Sequence, residues 1–578
     1  MRFEKIEINP QKNPAILDTA TWDAASAWST VSAVDESYWN SVLQALKEGH
    51  SLPVDKRCVV YVGSFAEYRK SMFFMAGLVD GQQVFIQLGT DSKDTIPGEP
   101  IGTRSLEDGT YLAVYRTDTE TIGRYVTLIK PDRAPKALGA VPRLGVGSRM
   151  STAAWQGVWQ AMNKCNFQAN PIQNSVREVN LLQDVLTGRP PRFNYLANFG
   201  RVEEGHTGST FEGLWVAGVL EALKVTSSPA FGADADHITV RRGADDIIRA
   251  KRVIEAARRY TFFTLDVSDI LDYDAMKIGS KTAAEDYLSN HICQPKQQSG
   301  VIAYHCQNCF PGQQCRLDKA AIGRLVGKYW TALNAVEELS NYIVTVRNKV
   351  PFDLELSIDE TPSGVDAFTC LTTESELMFL MLELQRRGIP VTHIAPNFGV
   401  EKGSDYRGQD GLVVLEKRIR GLYEIACEFG FMLDCHSGDD LKSATRQAIG
   451  RAAQGNIHFK VSPVLQVKFA ETMKDVEPER FGFWWDDTLD YARREAAADS
   501  TFAVQCLDRY EASDNREPSP DHTVFHYYNF ASVGRRDQQG QFILREKFYD
   551  LSADFYREYQ KRICNYLCQV AADIFNST

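Results

Sequence analysis

Ten of the 578 residues are histidines, and four of them fall in short apolar runs that also carry acids or a lysine. These are GADADHI at 232–238, VTHIAPNF at 391–398, MLDCHS at 432–437 and IHFKVSP at 457–463. Taken singly, a histidine in such a run is an ordinary hydrogen-bonded core residue, and an acid just after it, as with Asp439 or Asp440, is a helix N-cap. A lysine inside an apolar run is harder to explain away, because burying an unpaired ammonium is costly. Neutral imidazoles grouped with carboxylates suit a borderline divalent ion such as Zn, Mn, Co or Ni, and three protein ligands leave positions open for substrate oxygens. Adjacent acids are what such ligands need to orient them.

The elements that would gather these residues are legible between 352 and 473. FDLELSIDET at 352–361 reads as a strand and ESELMFLMLELQRR at 374–387 as a helix with apolar residues at helical spacing. Gly388 stands where a C-terminal cap belongs. The same unit recurs through 391–398, the helix at 412–429 stopped by Gly430, the strand at 431–437, the helix at 440–454 stopped by Gly455, and the strand at 457–463. Alternation of this kind implies parallel strands joined by helical crossovers. Upstream strands at 260–268 and 227–238 follow helices at 245–259 and 210–223, and shorter ones occur at 142–148 and 166–172. The expected fold class is therefore α/β, a (β/α)8 TIM-type barrel with eight strands.

Residues 1–138 differ, with short β-prone runs at 58–62, 83–88, 111–115 and 125–129, and predict an N-terminal β-rich or α+β subdomain. The catalytic barrel is expected over 139–549, with insertions near 273–317 and 475–522, and a C-terminal amphipathic helix over 550–578 packing on the barrel.

In a parallel barrel, functional side chains sit at the C-terminal strand ends and in the loops that follow. There the third strand brings Asp234, Asp236 and His237, the fourth Asp266 and Asp269, the fifth Asp359 and Glu360. The sixth brings His393 and then Glu401, Lys402, Asp405, Tyr406 and Arg407; the seventh Asp434 and His436, then Lys442; the eighth His458 and Lys460.

At these residues the sequence resembles the tagaturonate epimerases of bacterial hexuronate catabolism. The resemblance rests on GADADHI, SIDET at 357–361, APNF with EKGSDYRG at 395–408, HSGDDLKS at 436–443 and HFK at 458–460, which run in family order. It implies interconversion of D-tagaturonate and D-fructuronate with a divalent metal. Carried over by motif, His237, His436 and His458 are the metal ligands, Asp236 the proton acceptor and Glu360 the proton donor. His393 falls outside the family pattern. The carbon inverted is β to the ketone, so its C–H is not acidified, and a retro-aldol route is favoured over a redox one. Lys402, Tyr406, Arg407, Lys442 and Lys460 are candidates to hold a sugar-acid substrate, cations being suited to its carboxylate. No nicotinamide cofactor is expected, since GVGSRM at 145–150 lacks the third glycine of a dinucleotide fingerprint.

Composition narrows the alternatives. The net charge is −11 with acids and bases well mixed, which argues against a nucleic-acid or anionic-membrane partner. The first residues, MRFEKIEINPQKN, lack a signal-peptide core, and no apolar run is long enough to span a bilayer. Twelve scattered cysteines suggest reduced thiols and a cytoplasmic location. Cys306, Cys309 and Cys315, beside His305, could hold a structural metal or be free thiols. Two other classes stay open: another metal-dependent barrel enzyme on ketoses or ketouronates (isomerase, ketose epimerase or aldolase), and a non-catalytic sugar-acid binding protein. The oligomeric state is not readable.

Overall fold

The computed structural model describes the whole chain except residues 90–95, 97, 148, 197–199, 228, 242, 309–316, 362–364, 402–403, 499 and 577–578. Eight strands hydrogen-bond in a closed ring in chain order: β1 Arg143–Gly147, β2 Gln168–Ser175, β3 Phe231–Thr239, β4 Phe262–Asp266, β5 Asp353–Ser357, β6 His393–Ala395, β7 Met432–Cys435 and β8 Ile457–Val461. The pairings from β3 through to β8 are parallel. Helices separate the strands, among them Phe211–Lys224 before β3, Ala244–Ala256 after it, and Glu374–Arg387, Gly411–Glu428 and Ser443–Ala452 from β5 to β8. The expected (β/α)8 barrel is therefore the observed one.

Local sequence explains the helix boundaries. Thr373 accepts from Glu376 N while the Glu376 side chain accepts from Thr373 N, a reciprocal cap that satisfies two otherwise orphaned donors. The same helix ends at Gly388, whose φ of 67° a side-chain-bearing residue adopts only at a cost.

The chain forms two compact units. One comprises residues 1–136, 146–233 and 462–568, the other 137–145, 234–461 and 569–578. The first contains a five-stranded antiparallel sheet in the spatial order Cys58–Tyr68, Ser71–Leu78, Gln83–Gly89, Tyr111–Arg116, Gly102–Ser105. Helices Ala24–Ser32 and Glu36–Glu48 bury Val31, Trp39 and Val42 with Phe74 and Ile86 of that sheet. The strand expected at 125–129 is instead helical: Tyr125–Ile129 continues the helix Thr119–Arg124. Its aromatic and β-branched residues read locally as strand. Tertiary contacts override that, since the Tyr125 ring stacks on Phe85 at 4.0 Å and its hydroxyl donates to Ser64 O.

The region 475–522 is helical, with Pro478–Ala497 and Thr501–Glu511. Within the first unit Trp484 meets Phe469, Phe525 and Phe548 edge-on. In the second unit the end of the C-terminal helix Ala553–Phe575 is tied down by Asp573, which accepts from Ser443 and Arg446.

Candidate active site

All the site residues described here belong to the second unit. Strands β3 to β8 alternate with period two, and here the barrel's interior face is polar. Asp234 and Asp236, Thr264 and Asp266, Glu355 and Ser357, Asp434 and His436, and His458 and Lys460 are all buried. The opposite face carries Ala235, Phe263, Leu354, Leu356, Leu433 and Phe459, also buried. Barrel interiors are usually filled by branched apolar side chains. So many buried ionisable groups persist only if they pair with one another or with a ligand.

A bulge assembles the third strand's contribution. Ala235 pairs with Phe263 and Ile238 with Leu265, so Asp236 and His237 together face one residue of β4. His237 adopts φ 50°, a left-handed conformation that costs a non-glycine residue roughly 1–3 kcal/mol. It thereby turns toward the same side as Asp236. Its Nδ1 lies 3.2 Å from Asp266 Oδ2, and its ring centroid 4.6 Å from that of His436. Ser437, immediately after His436, is likewise left-handed at φ 59°.

Lys460 is the hub. Its Nζ lies 2.8 Å from Asp236 Oδ1, 2.6 Å from Glu355 Oε2, 3.3 Å from Asp234 Oδ2 and 3.0 Å from Thr264 Oγ1. Burial opposes its charge, but the surrounding carboxylates hold it well above the ordinary lysine range. Burial likewise favours a neutral Asp236, yet Lys460, then His237 and His436, outweigh it and keep that carboxylate ionised. Asp234, where burial prevails over Lys460, is raised. The two neighbouring acids are thus pushed in opposite directions, Asp236 down and Asp234 up.

His436 sits between Glu355, 2.6 Å from its Nε2, and Asp359, 3.2 Å from its Nδ1. Burial would lower its pKa, but these two carboxylates push it up to about 10. Asp236, His237 and His436 each offer a ligand atom within 4.8 Å of the other two, as do His237, Asp266 and the half-buried Glu360.

The expected residues are thus only partly brought together. His237 and His436 share a group with Asp236, while His458 belongs to another, with His393 and Asp434. Lys460 is buried among carboxylates. Tyr406 donates to Asp410 and receives from Arg418. Arg407 pairs with Glu401 and Asp366 in exposed bridges. Lys442 is exposed, its Nζ 4.0 Å from Asp405. Lys402, Cys309 and Cys315 lie outside the described residues. Cys306 donates to Leu317 O, and the adjacent His305 pairs with Glu383 at 2.8 Å.

Glu355 and Arg143 were not singled out by their spacing. The alternation in Asp353-Leu-Glu355-Leu-Ser357 marks one polar face of β5 and is the signal that exposes Glu355. Arg143 Nη1 lies 3.0 Å from Asp353 Oδ2, both side chains buried.

A family model described as tagaturonate epimerase matches residues 196–569. The tagaturonate/fructuronate epimerase of Thermotoga maritima is 28% identical over 293 residues, 50% of this chain and 56% of that protein, so the chain spans about half the length of the curated relative it matches. Two crystal structures of fructuronate-tagaturonate epimerase from Cohnella laeviribosi share the fold. The native one has a TM-score of 0.64 at 19% identity, covering 93% of this chain and 99% of that one. A glycerol complex has 0.61 at 20%, covering 94% and 99%. With more than half of its residues matched by the family model, the chain belongs to the tagaturonate epimerase family.

Proposed function

We propose that the chain is a divalent-metal-dependent isomerase that interconverts D-tagaturonate and D-fructuronate by retro-aldol and aldol steps. The observation that carries this reading is the Asp236 carboxyl held between Lys460 and the His237–His436 pair. Family membership supplies the substrate class.

The donor set fits a metal. Two imidazoles and a carboxylate lie within 4.8 Å of one another, and the buried His436 Nδ1 has Asp359 3.2 Å away to orient it. Such a set suits Zn, Mn, Co or Ni. The carboxylates that draw a proton onto His436 draw a dication equally, and binding would release that proton. We assign His237 and His436 as the ligands nearest the reacting centre. When bound, the ion supplies Lewis-acid stabilisation of the negative charge that bond cleavage leaves on the ketone-bearing fragment.

The chain's own groups handle the proton. Asp236 takes the proton of the hydroxyl on the inverted carbon, β to the ketone. The bond between that carbon and its α neighbour then breaks, giving an aldehyde and an enediolate. After the aldehyde presents its other face, the enediolate carbon re-forms the bond. Glu360 delivers a proton to the new alkoxide, and the two carboxyls exchange roles in the reverse direction. We assign the substrate carboxylate to the exposed Lys442, since the Lys460 ammonium is already engaged by Asp236 and Glu355.

Among the described residues no helix is long and apolar enough to cross a membrane. We place the enzyme in the cytoplasm, a reading supported by the free thiols of its described cysteines.

The test is incubation with either ketouronate in deuterium oxide. Conversion with no deuterium at the inverted carbon supports the retro-aldol route. Full incorporation there overturns it, and a shift of the carbonyl or release of separate fragments makes the enzyme an isomerase of another kind or an aldolase.

A further inference from the structure

One layer deeper in the barrel lies a second cluster that the reaction above does not use. Asp434 precedes His436 by two residues on β7, His458 precedes Lys460 by two on β8, and His393 lies on β6. Period-two alternation therefore puts Asp434 and His458 on the same interior face as His436 and Lys460 but further from the mouth. One ligand atom of each of the three lies within 4.8 Å of the other two, and all three residues are 0% exposed.

Their hydrogen bonds leave one atom of each without a partner. Thr392 Oγ1 accepts from Leu354 N at 3.1 Å, lies 3.2 Å from Leu354 O and pairs with His393 Nδ1 at 2.8 Å. His458 Nδ1 donates to Asp434 Oδ2 at 2.8 Å. In the tautomer with a proton on each Nδ1, each imidazole carries its lone pair on Nε2. His393 Nε2, His458 Nε2 and Asp434 Oδ1 are buried with no hydrogen-bond partner. Glu355 adds a further carboxylate within 4.8 Å of Asp434. Both Nε2 atoms are then electron-pair donors, and a bound cation would hold ionised the Asp434 carboxyl that burial and Glu355 otherwise push toward its protonated form. A water molecule has only two hydrogens to share among them, whereas one cation satisfies all three.

We propose that His393, Asp434 and His458 bind a second divalent ion, a structural one, on the barrel floor. Two imidazoles and a carboxylate favour a zinc-like ion over magnesium or calcium. The absence of solvent exposure makes it a staple joining β6, β7 and β8 rather than a site for substrate. Thr392 and the Asp434–His458 bond orient the two rings, as outer partners of metal-bound histidines do.

The experiment is metal analysis of the purified holoenzyme, in equivalents per chain, for the wild type, His237→Gln, His393→Gln and the double variant. Two equivalents in the wild type, one in each single variant and none in the double variant are expected. In His237→Gln, the remaining ion should resist chelators longer than the one lost. His393→Gln retaining everything the wild type holds overturns the proposal, whereas a single wild-type ion lost in His393→Gln and kept in His237→Gln would leave this site standing and remove the first. Loss of the same single ion from both variants also overturns the proposal, because that means one shared site. Should His393→Gln fail to fold, Thr392→Val keeps the ligand and removes only its orienting hydroxyl. It should weaken the second ion alone by about 10–100-fold, and an unchanged affinity overturns the proposal equally.

Discussion

Lys460 Nζ stands 2.8 Å from Asp236 Oδ1, and the same ammonium reaches Glu355 and Asp234. In the mechanism proposed above, it holds the general base Asp236 in its ionised form. Lys460→Met should lower kcat/KM by about 100-fold or more. Without the ammonium, burial acts on Asp236 with less opposition and its pKa rises. The acidic limb of kcat/KM, where the base must be ionised, then moves to higher pH. Stability should also fall, by about 3–5 kcal/mol, since buried carboxylates lose their partner. A pH–rate profile beside a denaturant titration checks both.

Glu360 lies within reach of His237 and Asp266 and could serve either as acid or as ligand. As the acid, Glu360→Gln should lower kcat by about 100- to 10,000-fold while metal content stays at the wild-type level. Loss of metal in that variant would move Glu360 to the ligand set.

Asp266 accepts from His237 Nδ1 across 3.2 Å and so fixes the ring that faces the site. Asp266→Asn should weaken metal binding there by about 10–100-fold without changing the number of sites. A competition titration with a chromogenic chelator reads this directly.

The Arg143–Asp353 pair is buried on both sides, and Asp353 also accepts from Leu138 N and Gly139 N. Arg143→Met should destabilise the chain by about 3–5 kcal/mol, because it strands a buried carboxylate. Arg143→Met with Asp353→Leu should recover part of that loss. Urea unfolding of the three proteins makes the comparison.

Glu383 is buried, and burial alone would raise its pKa from 4.5. His305 and Arg386 outweigh that and hold it at about 2. Its folded pKa is depressed, so the stability it supplies is complete above pH 4.5 and is lost as pH falls toward 2. Glu383→Gln should flatten the acid dependence of unfolding free energy in that window, with little change of slope above it. Equal slopes in the two proteins would refute this.

Much of the architecture was written in local pattern. All eight barrel strands stand where apolar runs alternate with helical spacing, and Gly388, Gly430 and Gly455 mark helix ends at positive φ. These features follow from the covalent preferences of a few neighbouring residues, which travel with the chain whatever it packs against. The polar face of the barrel was readable for the same reason, through pairs such as Asp434 and His436 or His458 and Lys460.

Other features required the folded chain. Tyr125–Ile129 became helical because Phe85 and Ser64, distant in sequence, hold Tyr125. The bulge that turns His237 beside Asp236 leaves no mark in GADADHI, since the φ of 50° at His237 is set by its pairing with the neighbouring strand. The depth of each histidine was undetermined as well. Period two says that His436 and His458 face inward, but the stagger of neighbouring strands decides which ones share a layer. That register sets His458 against Asp434 and leaves His237 to meet His436. The chain alone thus specifies which residue types line the barrel, and the sheet's closure specifies which of them can hold one ion together, because that choice depends on contacts between residues far apart in sequence.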